Sequence, residues 1–256
     1  MKTVILAGGF GTRFSEQTEL KPKPMIEIGQ FPIIVHIMKY YSKFGFNDFI
    51  ICCGYKGYMI KEYFSNYYMH NSDITFDFSK QNEMTVHSNV AEPWRVTLVD
   101  TGLNTLTGGR IKRIEKYVKD ETFMMTYGDG LSDVDIDALL DCHKKSKTIA
   151  TLTAVQVSGR FGALAIGANN EICNFKEKPK DQNSWINGGF MVLEPKVFDY
   201  IKDDAAIFEG EPLEKLSCEN QLSAYKHYGF WHCIDTQRDK NFIEQIWNSG
   251  EAPWKV

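Results

Sequence analysis

VILAGGFGTRFSEQTELKPKP, from Val4 to Pro24, opens with an apolar run and closes among cations. Thr3 to Ala7 has the length and composition of a buried strand. The run breaks into Gly8, Gly9 and Gly11, followed within a few residues by Thr12, Arg13, Lys21 and Lys23. Glycine permits positive φ and lets backbone N–H groups come close to a ligand. Amides of that kind with cations beside them suit a polyphosphate. Two familiar phosphate loops fit less well. The dinucleotide fingerprint matches Gly9 and Gly11, but its third glycine falls on Phe14. The Gly-Lys-Ser/Thr of a P-loop does not follow.

The 256 residues are read as one α/β domain with elaborations. Lys plus Arg total 29 against 33 acids, a net charge of −4, so no basic excess is available for a nucleic-acid backbone. The cysteines at 52, 53, 142, 173, 218 and 233 form no CxxC pair, which argues against zinc and redox motifs and for a reducing cytosol. The apolar run after Lys2 is too short for a signal peptide, and no stretch approaches bilayer length. A soluble, cytoplasmic protein with no membrane partner is expected.

Along the chain, Pro32 to Phe44 carries a helical apolar stripe that Gly45 can cap. Asp48 to Cys53 reads as a buried strand, Lys61 to Tyr68 continues a second helical pattern, and Thr122 to Tyr127 is another buried strand. This alternation predicts right-handed βαβ units and a largely parallel sheet, with ligands at the carboxyl ends of the strands. Asp73 to Phe78 and Arg95 to Val99 alternate as strands around a polar hairpin or surface excursion. Ile111 to Val118 reads as a basic helix entered through TGGR, Thr107 to Arg110. Further on, a helix over Ile136 to Lys147 and a strand over Thr148 to Val157 precede short strands at Ala163 to Ile166, Ile172 to Phe175 and Gly189 to Leu193. Helices are expected over Lys196 to Lys202, Leu213 to Cys218 and Asp239 to Trp247.

Asp129 ends an apolar strand and lies between Gly128 and Gly130, a position suited to Mg²⁺ and equally to a tight turn. Asp235 ends a second apolar run, GFWHCIDT, as either a metal ligand or the N-cap of the next helix, a task Thr236 or Asp239 could also perform. FKEKPK, from Phe175 to Lys180, is a lysine cluster of the kind that usually lies in solvent. No histidine pair has metal-ligand spacing, and neither a nucleophile elbow nor a Cys–His arrangement is present. The missing base is informative. A phosphate monoester that attacks another phosphorus is already ionised at neutral pH, since its second pKa is about 6. Such a reaction asks for alignment and charge neutralisation rather than proton transfer.

LAGGFGTR followed by KPKP resembles the signature of the sugar nucleotidyltransferases, the nucleoside-diphosphate-sugar pyrophosphorylases. ICCGYKGYMIKEYF, TLVDTG, TGGRIKR, TYGDG, GRFGAL, EKPK, WINGGFMVL, GFW and DTQRDK extend the resemblance along the whole chain. It points to the branch that joins CTP and glucose 1-phosphate into CDP-glucose for deoxysugar synthesis of the O-antigen type. The fold it implies is a Rossmann-like three-layer α/β/α nucleotidyltransferase with a mostly parallel, mixed central sheet. By resemblance, Leu6, Ala7, Gly8, Gly9, Gly11, Thr12, Arg13, Lys23, Thr105, Arg110 and Gly128 bind nucleotide. Arg13, Lys23, Asp129 and Asp235 serve catalysis, and Asp129 with Asp235 holds Mg²⁺ as the cofactor. Gly162, Glu177, Lys178 and Gly188 resemble the sugar-phosphate side, and a homo-oligomer is implied. Two alternatives stay open: a sibling enzyme with another triphosphate or another hexose or heptose 1-phosphate, and a non-catalytic nucleotide-sugar sensor. The sensor would be expected to lack Arg13, Lys23 or one of the two aspartates, and all are present.

Overall fold

The structure is a computed structural model and describes residues 1–14, 18–156, 163–167, 170–176 and 185–256. Strand β1 (Thr3–Ala7) is buried throughout and apolar after Thr3 because both of its faces are covered: Val4 and Leu6 enter one core cluster, Ile5 and Ala7 the other. A short antiparallel pair, β2 (Glu27–Ile28) and β3 (Phe31–Pro32), leads into α1 (Ile33–Lys43). Helix α1 buries Ile33, Ile34, Ile37, Met38 and Tyr41 and stops at Gly45, whose φ of +84° ends it with a hydrogen bond from Gly45 N to the Ser42 carbonyl.

Strand β4 (Asp48–Cys53) then pairs parallel with β1, with Ile5 opposite Ile51. Helix α2 (Gly57–His70) and the exposed hairpin of β5 (Ser72–Asp77) and β6 (Glu83–Asn89) precede β7 (Arg95–Asp100), parallel to β4. Next come α3 (Thr107–Arg113), α4 (Glu115–Val118) and β8 (Phe123–Tyr127). Strand β8 returns to the other side of β1, with Leu6 opposite Tyr127. The chain therefore winds outward from β1 through β4 to β7 and then reverses. The crevice at the carboxyl ends of β1 and β8 is the switch point where open α/β sheets take their ligands.

The second half builds the antiparallel part of the sheet. It comprises β9 (Gly130–Ser132), α5 (Ile136–Ser146), β10 (Ala150–Gln156), β11 (Ala163–Ile166), β12 (Ile172–Lys176) and β13 (Trp185–Leu193), then α6 (Glu211–Cys218), β14 (Leu222–Lys226), β15 (Trp231–Cys233) and α7 (Gln237–Ser249). The order is β12-β11-β13-β8-β1-β4-β7, with β10 joined to β13 and β14. Helices α1 and α5 cover one face, while α3, α4 and α6 cover the other, giving the expected three layers and mixed sheet.

Two local expectations need correction, and two pairings were not expected. TGGR is not the entry to a helix but its first turn, and the helix breaks at Ile114. Gly108 and Gly109 are there because backbone crosses them: a Cβ on Gly109 would lie 2.5 Å from the Asp204 carbonyl oxygen. The helix expected at Lys196 to Lys202 is a 3₁₀ run, Pro195–Tyr200. Strand β14, parallel to β10, and the pair β9–β15 were not anticipated. Among the described residues no helix is long and apolar enough to cross a membrane.

Candidate active site

The loop after β1 is held from below by Arg110 of α3, a side chain 4% exposed. Its Nη2 donates to the carbonyls of Gly8 at 2.9 Å and Leu103 at 3.2 Å. Its Nη1 donates to Thr101 Oγ1 at 2.8 Å and to the carbonyls of Gly102 at 2.7 Å and Cys53 at 3.3 Å. One guanidinium thus ties together the backbone that leaves β1, β4 and β7. Burial lowers its pKa, although arginine keeps its charge. Gly8 and Gly54 are glycine for this reason, since a Cβ on either would fall within 2.4 Å of the Arg110 Nη1.

Each glycine of the loop has a different cause. Gly11 alone among Gly8, Gly9 and Gly11 takes positive φ, +65°. Thr18 Oγ1 donates to its carbonyl at 3.1 Å. Gly9 is exposed, and a Cβ there would meet nothing within 4 Å, so its backbone is open to a ligand. Tyr55 N donates to the Gly8 carbonyl at 3.0 Å, which anchors the loop from the β4 side.

Lys23 opens a 3₁₀ turn, Lys23–Met25, set between Pro22 and Pro24. Its Nζ donates to Asp129 Oδ2 and to Asp235 Oδ1, at 2.6 Å each. The two acids meet because β9 pairs with β15, placing Gly130 opposite Cys233, and because Ile234 N donates to the Asp129 carbonyl at 2.9 Å. Asp235 is not the cap of α7. Thr236 is, accepting from Asp239 N at 3.2 Å, while Asp239 accepts from Asp235 N at 3.1 Å and from Thr236 Oγ1 at 2.8 Å. Burial opposes the Lys23 ammonium, yet the carboxylates of Asp129 and Asp235 raise its pKa above the ordinary lysine value.

Donor atoms of Asp129, Cys233 and Asp235 all lie within 4.8 Å of one another. Burial, and then Asp129, push the Cys233 thiol well above its ordinary range, so it keeps its proton and is a poor ligand for a hard cation. Two clustered carboxylates that line a cleft fit Mg²⁺.

These groups line a cleft of about 470 Å³. Of the residues named from sequence, Leu6, Ala7, Gly8, Gly9, Gly11, Thr12, Lys23, Thr105, Arg110, Gly128, Asp129 and Asp235 line it. Gly128 must be glycine, because a Cβ would lie 2.9 Å from Pro24 Cγ. Gly188 does not line the cleft; its carbonyl accepts from Trp231 Nε1 at 2.6 Å. Gly162, Glu177, Lys178 and the side chain of Arg13 lie outside the described residues.

Sequence reasoning missed Phe10, Pro24, Leu103, Asn104, Leu106, Thr107 and Tyr127, which also line the cleft. Two of them share one carboxylate: Thr107 Oγ1 donates to Glu209 Oε2 at 2.5 Å, and the Tyr127 hydroxyl donates to Glu209 Oε1. Burial, and then Glu209, push that hydroxyl well above the ordinary tyrosine value. Membership of TYGDG was the available signal for Tyr127, and of TGGRIKR for Thr107; Glu209 carried none.

The family model described as Nucleotidyl transferase matches residues 2–232. The glucose-1-phosphate cytidylyltransferases of Salmonella typhimurium (strain LT2) and Salmonella typhi are each 57% identical over 257 residues, covering 100% of this chain and 99% of theirs. Among solved structures, HddC from Yersinia pseudotuberculosis superposes with a TM-score of 0.77 at 22% identity, over 96% of this chain and 99% of that one. The chain belongs to the nucleotidyl transferase family.

Proposed function

We infer that this chain transfers a cytidylyl group from CTP to glucose 1-phosphate, giving CDP-glucose and pyrophosphate. The observation that carries the reading is Lys23 with Asp129 and Asp235, a cation and two acids gathered at the rim of a glycine-lined cleft at the switch point. Identity of 57% along the full chain to two glucose-1-phosphate cytidylyltransferases supports the choice of base and sugar.

The reaction brings together two anions whose combined charge is about −6 at neutral pH. The attacking phosphate oxygen is already ionised, so no residue needs to take a proton from it. Gly8, Gly9, Gly11 and Thr12 would wrap the nucleotide, with Leu6, Ala7, Thr105 and Gly128 forming the surrounding wall. Arg110 acts through the loop, since its five bonds go to protein atoms. Arg13 and Lys23 would contact the triphosphate, with Lys23 offsetting charge at the α-phosphate as pyrophosphate leaves. Asp129 and Asp235 would hold Mg²⁺, whose charge, when it is bound, neutralises phosphate oxygens. Gly162, Glu177, Lys178 and Gly188 are proposed for the sugar phosphate, so that 1–130 serves mainly the nucleotide and 131–256 mainly the sugar phosphate and assembly.

A cytoplasmic homo-oligomer feeding deoxysugar synthesis completes the proposal. The β5–β6 hairpin supports assembly, because it holds Phe76, Phe78 and Met84 out in solvent. The reading is tested by following CTP, glucose 1-phosphate and Mg²⁺ with the protein by ³¹P NMR. Growth of a sugar-diphosphate doublet pair beside pyrophosphate is expected; a spectrum that stays unchanged overturns it.

A further inference from the structure

We propose that Lys23 is a placeholder cation: in the bare protein its ammonium occupies the two-carboxylate site, and it leaves when a triphosphate offers it another anion. The inference rests on the reading of Asp129 and Asp235 as cation ligands.

Three observations carry it. The ammonium lies 2.6 Å from both carboxylates, and their donor atoms stand within 4.8 Å of one another, so there is room for one cation between them. The Lys23 side chain is only 11% exposed, which distinguishes it from a surface ion pair held loosely in water. Its root lies beside the phosphate loop: the Lys23 Cβ is 3.7 Å from where a Cβ on Gly11 would be. Pro22 and Pro24 restrain the backbone on either side, so side-chain torsions alone can carry the ammonium from the carboxylates toward the loop.

The physical need is plain. Two adjacent carboxylates repel each other when nothing lies between them. A built-in cation relieves that repulsion in the empty enzyme, and a divalent ion must displace it. Binding of metal and binding of triphosphate are then coupled, because each helps the other by moving the same ammonium. The bare protein should hold divalent ions weakly, and the ion should enter together with the nucleotide.

The test is Mn²⁺ binding by nucleotide-free protein, read from the EPR signal of free Mn²⁺. Lys23→Met and Lys23→Gln remove the cation while keeping most of the side chain, and circular dichroism selects the folded variants. Mn²⁺ is expected to bind them about tenfold or more tightly than wild type. Lys23→Arg should stay close to wild type, and Asp235→Asn added to Lys23→Met should abolish the gain. Neutral variants that bind Mn²⁺ no more tightly than wild type overturn the proposal. CTP binding by the wild type, measured by calorimetry, is scored separately. Its absence would retire the cytidylyl reading, whereas the Mn²⁺ comparison alone decides the placeholder.

Discussion

Arg110 donates to the carbonyl of Gly8 at 2.9 Å across 102 positions of sequence, and Gly8 has no side chain because that guanidinium fills the space. The pair links the first strand's loop to helix α3, and through Cys53, Thr101, Gly102 and Leu103 to the ends of two further strands.

Arg110→Met should therefore destabilise the fold by about 2–4 kcal/mol, since it removes five hydrogen bonds that tie the backbone leaving three strands together. Gly8→Ala should cost a comparable amount for a different reason, a Cβ 2.2 Å from Arg110 Nη1. In the Arg110→Met background the Gly8→Ala cost should shrink, because the obstructing group is gone. Urea unfolding of the four proteins measures the coupling; strict additivity would show that the contact does not limit residue 8.

Lys23→Ala should lower kcat by about 10²–10³-fold while leaving the far-UV spectrum unchanged. The Lys23 side chain is mostly buried but is not part of the apolar core, which takes Met25 from the same turn instead. Steady-state rates with CTP and glucose 1-phosphate check this, and turnover at the wild-type rate would remove Lys23 from the reacting centre.

Thr236→Ala should cost about 1 kcal/mol in stability through loss of the α7 cap. Because Asp239 also accepts from Asp235 N, the same change should raise the Mg²⁺ concentration needed for half-maximal activity. A thermal melt and a metal titration on one preparation test both halves.

His36 is 3% exposed, hydrogen-bonded to the Ile28 carbonyl at 2.9 Å, and packed edge-on to Trp247. Burial lowers its pKa below the ordinary value of 6.5. The unfolded chain takes up this proton below that value while the folded chain resists it. Its contribution is therefore complete above pH about 6.5 and declines as pH falls through the window below it. His36→Asn should lose less stability than wild type between pH 7.5 and 5, as read by denaturant midpoints; parallel losses would exclude His36.

Much of this layout was legible because buried parallel strands leave unbroken apolar runs. Val4 to Ala7, Phe49 to Cys53 and Phe123 to Met125 are such runs, and their strands adjoin one another in the sheet. The acids ending two apolar runs, Asp129 and Asp235, could be named, but their meeting depends on β9 and β15, three residues each and too short to show alternation. Arg110 was named as a nucleotide contact; its five acceptors, four of them main-chain carbonyls, have no signature in sequence. Gly108 and Gly109 were read as the lead-in to a helix rather than its first turn, because their reason, the crossing of Asp204 and Ala206, lies far along the chain.

The most direct measurement is initial-rate pyrophosphate release with Mg²⁺ and glucose 1-phosphate, offering CTP, UTP, dTTP, ATP and GTP in separate reactions. The account predicts release with CTP and background rates with the other four. Preferred release with any other triphosphate would contradict the cytidylyl assignment, and silence with all five would contradict the pairing of CTP with glucose 1-phosphate.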